Sequence, residues 1–142
     1  MIDKESEVFD RIAEALEANL EESVDMTSVY VNKPKSFPHV SVEQVDSRIQ
    51  YEDSSGREKY AAMTFEVNIY SNKQGGRKYQ CKKIASVIDD VMNRMNFRRT
   101  AMSPVRNSTQ TTVYGTDVHD ETVYRLAVRY EGVASETHFY RR

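Results

Sequence analysis

Asp117, His119 and Glu121 alternate along the chain, with Asp120 between the last two. On an extended strand, two-residue spacing puts three such side chains on one face, an arrangement that suits a divalent cation. Only three histidines occur in 142 residues, and no second one lies close to His119. The run also follows the turn-forming Gly115-Thr116, so a solvated hairpin loop is the expectation. A small metal-dependent hydrolase built on His119 ranks last among the alternatives.

Other groups give no catalytic constellation. Gly75-Gly76-Arg77-Lys78 precedes a helical pattern, where backbone amides can cradle phosphate. The spacing matches neither a P-loop nor GxGxxG, so a tight strand-to-helix turn is expected. Arg77, Lys78, Lys82, Lys83, Arg94, Arg98 and Arg99 form a basic run without a stacking-aromatic or helix-turn-helix signature. A subunit interface or solvated face is expected, and a nucleic-acid-binding module is a lesser alternative. Asp89 and Asp90 are neighbours on a helix and diverge. Cys81, the single cysteine, excludes an internal disulfide and falls in the apolar helical pattern, the position of a buried structural thiol. No metal and no cofactor is expected.

Net charge is −2, with 39% hydrophobic and 30% charged residues, so one folded domain is expected and no global field draws the chain to nucleic acid. Residues 1–27 hold nine acids against Lys4 and Arg11, a local charge of −7. Residues 71–106 hold nine bases against Asp89 and Asp90, a local charge of +7. Such asymmetry can orient neighbouring copies head to tail. No apolar run approaches the ~20 residues of a membrane span, and the acidic start lacks the pattern of a signal peptide. Folding in a cytoplasm is expected, with no membrane partner.

The elements that must carry these groups follow from periodicity. Val8, Phe9, Ile12, Ala15, Leu16 and Leu20 share one face and predict a helix over about 4–21. Residues 27–31 are β-prone, and alternation begins at Val40. Residues 46–60 read as a long polar loop around Asp53-Ser54-Ser55-Gly56, either functional or disordered. Met63, Phe65, Val67 and Ile69 alternate with Thr64, Glu66, Asn68 and Tyr70, a strand with one face on the core. Tyr79 to Met95 repeats at helical intervals, and Asn96 suits a left-handed stop. Residues 97–105, 109–114 and 123–130 read as extended, and 134–142 as an extended tail. The expected fold is a single α+β domain over residues 1–142. In it a mostly antiparallel sheet is covered on one face by two helices, in the order α-β-β-β-α-β-β-β.

Five segments then occur in a telling order: Phe37-Pro38-His39-Val40-Ser41-Val42, residues 65–73 (FEVNIYSNK), Cys81-Lys82-Lys83-Ile84-Ala85, Asn96-Phe97-Arg98-Arg99, and residues 123–130 (VYRLAVRY). Over about residues 5–133 their order and spacing resemble the tail-terminator or tail-completion proteins of long-tailed bacteriophages and prophages. The resemblance implies a structural virion subunit, not an enzyme, assembled in the host cytoplasm into a hexameric ring at the head-proximal end of the tail. Its implied partners are further copies of itself, the tail-tube protein and the head-tail connector, with passing contact with DNA in the lumen. A head-completion ring between portal and tail is the nearest alternative. The family's working parts are loops and sheet edges. The expected interface residues are therefore Asp53, Ser54, Ser55, Gly56 and Arg57 at the loop tip, with Lys82, Lys83, Arg98 and Arg99 on the basic run.

Overall fold

The computed structural model describes residues 1–52 and 58–140. Helix α1 spans Glu5–Asn19 and buries Val8, Ile12 and Leu16, the four-residue stripe that makes it form. Asp3 Oδ1 accepts the Glu5 N–H at 3.0 Å, and Glu5 and Glu7 put negative charge in the first turn, where the helix dipole favours it. Helix α2 spans Arg77–Arg94 and buries Cys81, Ile84, Ile88, Val91 and Met92. It ends as a left-handed cap: Asn96 takes φ 64, its N–H bonds the Asn93 carbonyl at 3.0 Å, and the Phe97 N–H bonds the Met92 carbonyl at 2.9 Å.

The strands are β1 (Asp25–Thr27), β2 (His39–Glu52), β3 (Glu58–Asn72), β4 (Arg98–Met102), β5 (Arg106–Tyr114), β6 (Asp117–Ala134) and β7 (Phe139–Tyr140). They form one seven-stranded sheet in the order β1-β2-β3-β6-β4, with β5 and β7 also paired to β6. The expected fold class is thereby corrected. The chain is predominantly sheet, its sheet is mixed because β1 runs parallel to β2, and its strand order departs from the expected antiparallel arrangement. Sequence patterning misses β1 because three residues carry no period. What holds it is polar: His39, buried, reaches Asp25 Oδ2 with Nδ1 and Thr27 Oγ1 with Nε2, both at 3.1 Å.

Two further expectations are overturned. Most of the supposed loop 46–60 is strand, since β2 continues to Glu52 and β3 begins at Glu58. Its polar composition reflects exposure, while pairing such as Ile49 with Ala61 supplies the extended structure. The tip, residues 53–57, lies outside the described residues. Likewise Asp117–Glu121 is not loop but the first turn-proximal part of β6, paired residue by residue with β5. The connection is Gly115-Thr116 alone, with Gly115 at φ 63, as a two-residue hairpin turn requires. The tail from 134 also folds back: Ala134 pairs with Phe139 and Val133 with Tyr140.

The core lies between the helices and one face of the sheet, where Val40, Val42, Phe65, Val67, Ile69, Leu126, Val128 and Tyr130 meet α1 and α2. Burying one such side chain contributes roughly 1.5–3 kcal/mol. Strand β6 passes unusually close to Phe97. A Cβ placed on Gly132 would stand 2.6 Å from Phe97 Cδ1, so only glycine fits there without displacement. Phe97 itself is wedged edge-on against Phe65, with ring centroids 5.4 Å apart, and against Phe139 at 5.5 Å.

Candidate interaction surfaces

The β3–β6 ladder runs from Ala61 with Ala134 to Asn72 with Val123. Beyond its first end only the last residues of β2 and residues 58–60 of β3 continue, with Tyr60 edge-on against Tyr140 of β7 at 5.0 Å. Beyond its other end, β5 and the start of β6 continue as a hairpin, from Thr109 with Thr122 to Tyr114 with Asp117. The ladder is antiparallel, so the β2–β3 end and the β5–β6 hairpin lie at opposite ends of the sheet. The hairpin carries three exposed apolar side chains near its tip, Val113, Tyr114 and Val118. Its polar residues partner one another or the body. Thr111 Oγ1 donates to Asp120 Oδ1 at 2.7 Å, Asn72 Nδ2 donates to Glu121 Oε1 at 2.7 Å, and His119 stacks against Tyr114. Among the described residues, no three His, Cys, Asp or Glu side chains come together as a metal site.

The strand-to-helix turn is held by side chains. Asn72 Oδ1 accepts the Gly75 N–H at 2.8 Å, Ser71 donates to Gln80, and Gly76 takes φ 121. This turn borders an open hollow of about 730 Å³ that also reaches Glu22, Phe37, Tyr79 and Lys83. Cys81 is fully buried, with Sγ 3.5 Å from the Tyr124 carbonyl oxygen, and burial pushes its thiol up to about 12.

The face of the sheet away from the helices is polar, and sequence reasoning missed its organisation. Arg125 donates from Nε and Nη2 to Asn68 Oδ1 at 3.0 and 2.7 Å and lies over the Tyr30 ring at 5.1 Å. Beside it, Tyr70 is 2% exposed, and burial raises its phenol well above the ordinary value. Glu66 accepts from Arg129 at 2.7 Å, and this guanidinium, more than any other group, holds the Glu66 carboxyl below its usual range. The alternation of Glu66, Asn68 and Tyr70 on β3 with Arg125 and Arg129 on β6 was the available signal. It becomes readable only once the register pairs Glu66 with Arg129 and Tyr70 with Arg125.

Register also aligns four strands into rows. One row runs Asp46, Thr64, Glu131, Arg98; the next Gln44, Phe65, Tyr130, Arg99; the third Glu43, Glu66, Arg129, Ala101. Acids therefore stand at the β2 edge and arginines at the β4 edge. Glu5, at the start of α1, joins the acidic edge: partial burial first, then the charges of Asp3 and Glu43, raise its carboxyl above the ordinary value.

The expected interface residues divide accordingly. Arg98 and Arg99 sit together on the exposed strand β4, with Arg99 Nη1 3.6 Å from Asp89 Oδ1. Lys82 and Lys83 are exposed on α2 but diverge by about 100° around the helix. Lys83 faces the hollow, whereas Lys82 shares the side of Asp89, seven residues on. The basic run is thus not one patch. Asp53, Ser54, Ser55, Gly56 and Arg57 lie outside the described residues. Among the described residues, no helix is long and apolar enough to cross a membrane.

No family model matches the chain, and no curated protein matches it. Among the solved structures that match, one aligns over 94% of this chain and 97% of its own, at 18% identity and a TM-score of 0.38, a level at which no common fold is shown.

Proposed function

We propose that this chain is a structural subunit of a long-tailed bacteriophage particle, forming a ring that closes the tail tube and joins it to the head connector. The observation that carries the reading is the ordered series of segments over residues 5–133 that resembles tail-terminator and tail-completion proteins. The architecture supports it in physical terms. A packed body with the β5–β6 hairpin at one end and the β2–β3 connection at the other can engage one partner above and another below, as a joint between tube and connector must. Lateral edges of opposite charge suit a heterologous contact, the kind that generates rings. In this reading the chain works by binding and carries no reaction.

The test is the solution mass of the purified chain by light scattering over a wide concentration range, with and without tail-tube protein. A hexamer, alone or on meeting the tube, is the expected result. A monomer that ignores the tube throughout overturns the proposal. Co-assembly with portal rather than tube would instead favour a head-completion ring. Removal of residues 53–57 is expected to leave the fold intact and impair tail joining. Unchanged assembly of infectious particles would refute a role for that tip.

A further inference from the structure

Asp46 and Arg98 occupy the two ends of one four-strand row, and Glu43 lies two rows away on the same polar face. Three interstrand spacings separate β2 from β4, about 14 Å, which is too far for these charges to meet within one chain. Inside the row system the chain already makes the matching contact once, where Glu66 accepts from Arg129 at 2.7 Å. Continuing the rows past β4 would set the next acid beside the last arginine. We infer that copies of this chain associate head to tail, with the Arg98–Arg99 edge of β4 in one copy against the Glu43–Asp46 edge of β2 in the next. The inference rests on the ring-forming reading above and assigns its contact surface.

Several features favour a second copy as the occupant. Acidic and basic edges belong to one molecule and stand at the same level along the strands, so one operation brings each to the other. Strand direction is consistent as well. Strand β4 is antiparallel to β6, β6 to β3, and β3 to β2, so a rotation about an axis along the strands places β4 antiparallel to the neighbour's β2. Each edge carries an exposed apolar side chain beside its charges, Val45 on β2 and Met102 on β4. Glu5, close enough to Glu43 for their charges to interact, adds to the acidic edge.

Local partners do not exhaust these charges. Arg98 stands opposite Glu131 in register, Arg99 lies 3.6 Å from Asp89, and Asp46 accepts from Arg48 at 3.0 Å. Both ion pairs, Arg99 with Asp89 and Asp46 with Arg48, are exposed, where single ion pairs are weak and exchange readily. A guanidinium has five donors, so Arg98 has donors for a neighbour's carboxylate whatever it makes within its own chain.

The experiment compares full-length wild type with Arg98→Glu and Asp46→Arg by sedimentation across a concentration series, each checked for wild-type melting. Each reversal alone is expected to weaken self-association roughly tenfold or more, because like charges then face each other at every contact. An equimolar mixture of the two reversed chains is expected to recover the wild-type assembly. In an alternating ring every reversed edge meets a reversed edge and every native edge a native one, which a ring of six permits. Should a reversal perturb melting, Arg98→Ala and Asp46→Asn replace it, with weakened association of each as the expected result. If wild type assembles and the substitutions leave its mass unchanged, or the mixture fails to recover it, the edge assignment is wrong while the ring reading stands. If wild type stays monomeric alone and with tail-tube protein, the ring reading itself fails. Salt-sensitive binding of duplex DNA to a monomer, lost in Arg98→Glu, would assign the basic edge to nucleic acid and overturn the inference.

Discussion

Replacing Gly132 by alanine adds one methyl group where β6 crosses Phe97. The new Cβ would stand 2.6 and 2.7 Å from two carbons of the Phe97 ring, against an ordinary carbon–carbon contact of about 3.5–4.0 Å. One partner must therefore move by about 1 Å. Phe97 has nowhere easy to go, being 3% exposed and held between Phe65 and Phe139. Overpacking of this kind costs about 1–3 kcal/mol. Against it, alanine restricts the unfolded chain and returns about 0.4–1 kcal/mol. The net expectation is a loss of about 1–2 kcal/mol, or a melting point lower by roughly 4–8 °C for a domain of this size. Urea denaturation followed by circular dichroism measures it. Pairing the change with Phe97→Leu should show a favourable coupling of about 1 kcal/mol, because the smaller side chain makes room. A Gly132→Ala protein as stable as wild type, or strict additivity in the double variant, would refute the packing argument.

Three other outcomes are expected. Asn96→Ala should lose about 1–2 kcal/mol in chemical denaturation, since it forces alanine to φ 64 and removes the 3.1 Å bond from Asn96 Nδ2 to the Phe139 carbonyl, whereas Asn96→Gly should lose less. Glu66 has a folded-state pKa below its ordinary value, so its contribution is full above about pH 4.5 and disappears as pH falls through the lower folded value. Glu66→Gln should therefore flatten the acid limb of stability by less than about 1 kcal/mol, read as the difference in urea midpoint between pH 7 and pH 3. Cys81 should resist a thiol reagent at pH 8 until the protein unfolds, because the thiol is buried and its pKa is pushed up to about 12; fast labelling of native protein would contradict that.

Legibility in the sequence followed the length of each pattern and the location of its partner. Both helical stripes and the alternation of Met63 to Ile69 are local, repeat several times, and form where periodicity places them. Asn96 as a left-handed stop is equally local. Strand β1 was invisible because its reason for existing is a histidine twelve residues beyond its end, His39. The outer half of β2 and the start of β6 read as loop because their side chains there are exposed, so no apolar alternation marks them. Charge polarity was readable along the chain, but its arrangement across the sheet was not. Asp46 and Arg98 are 52 positions apart, and only the register of three ladders puts them in one row.

Strand β6 sets a timetable for the chain's synthesis. It closes the β3 ladder along one side and takes β5, β4 and β7 in succession along the other. Until Val123 has been made the inner edge of β3 has no partner, its pairing is complete only with Ala134, and Phe97 lacks the glycine-walled slot until Gly132 is made. From Asn72 to Ala134 a ribosome adding 5–20 residues per second needs roughly 3–12 s. For most of that interval the nascent chain offers a wholly or partly unpaired, apolar β3 edge to any similar edge nearby. Neighbouring ribosomes on one message hold identical edges at high local concentration, so expression rate and temperature should govern how much soluble protein is recovered. Slowing initiation, which spaces those ribosomes apart, is the lever this topology makes effective.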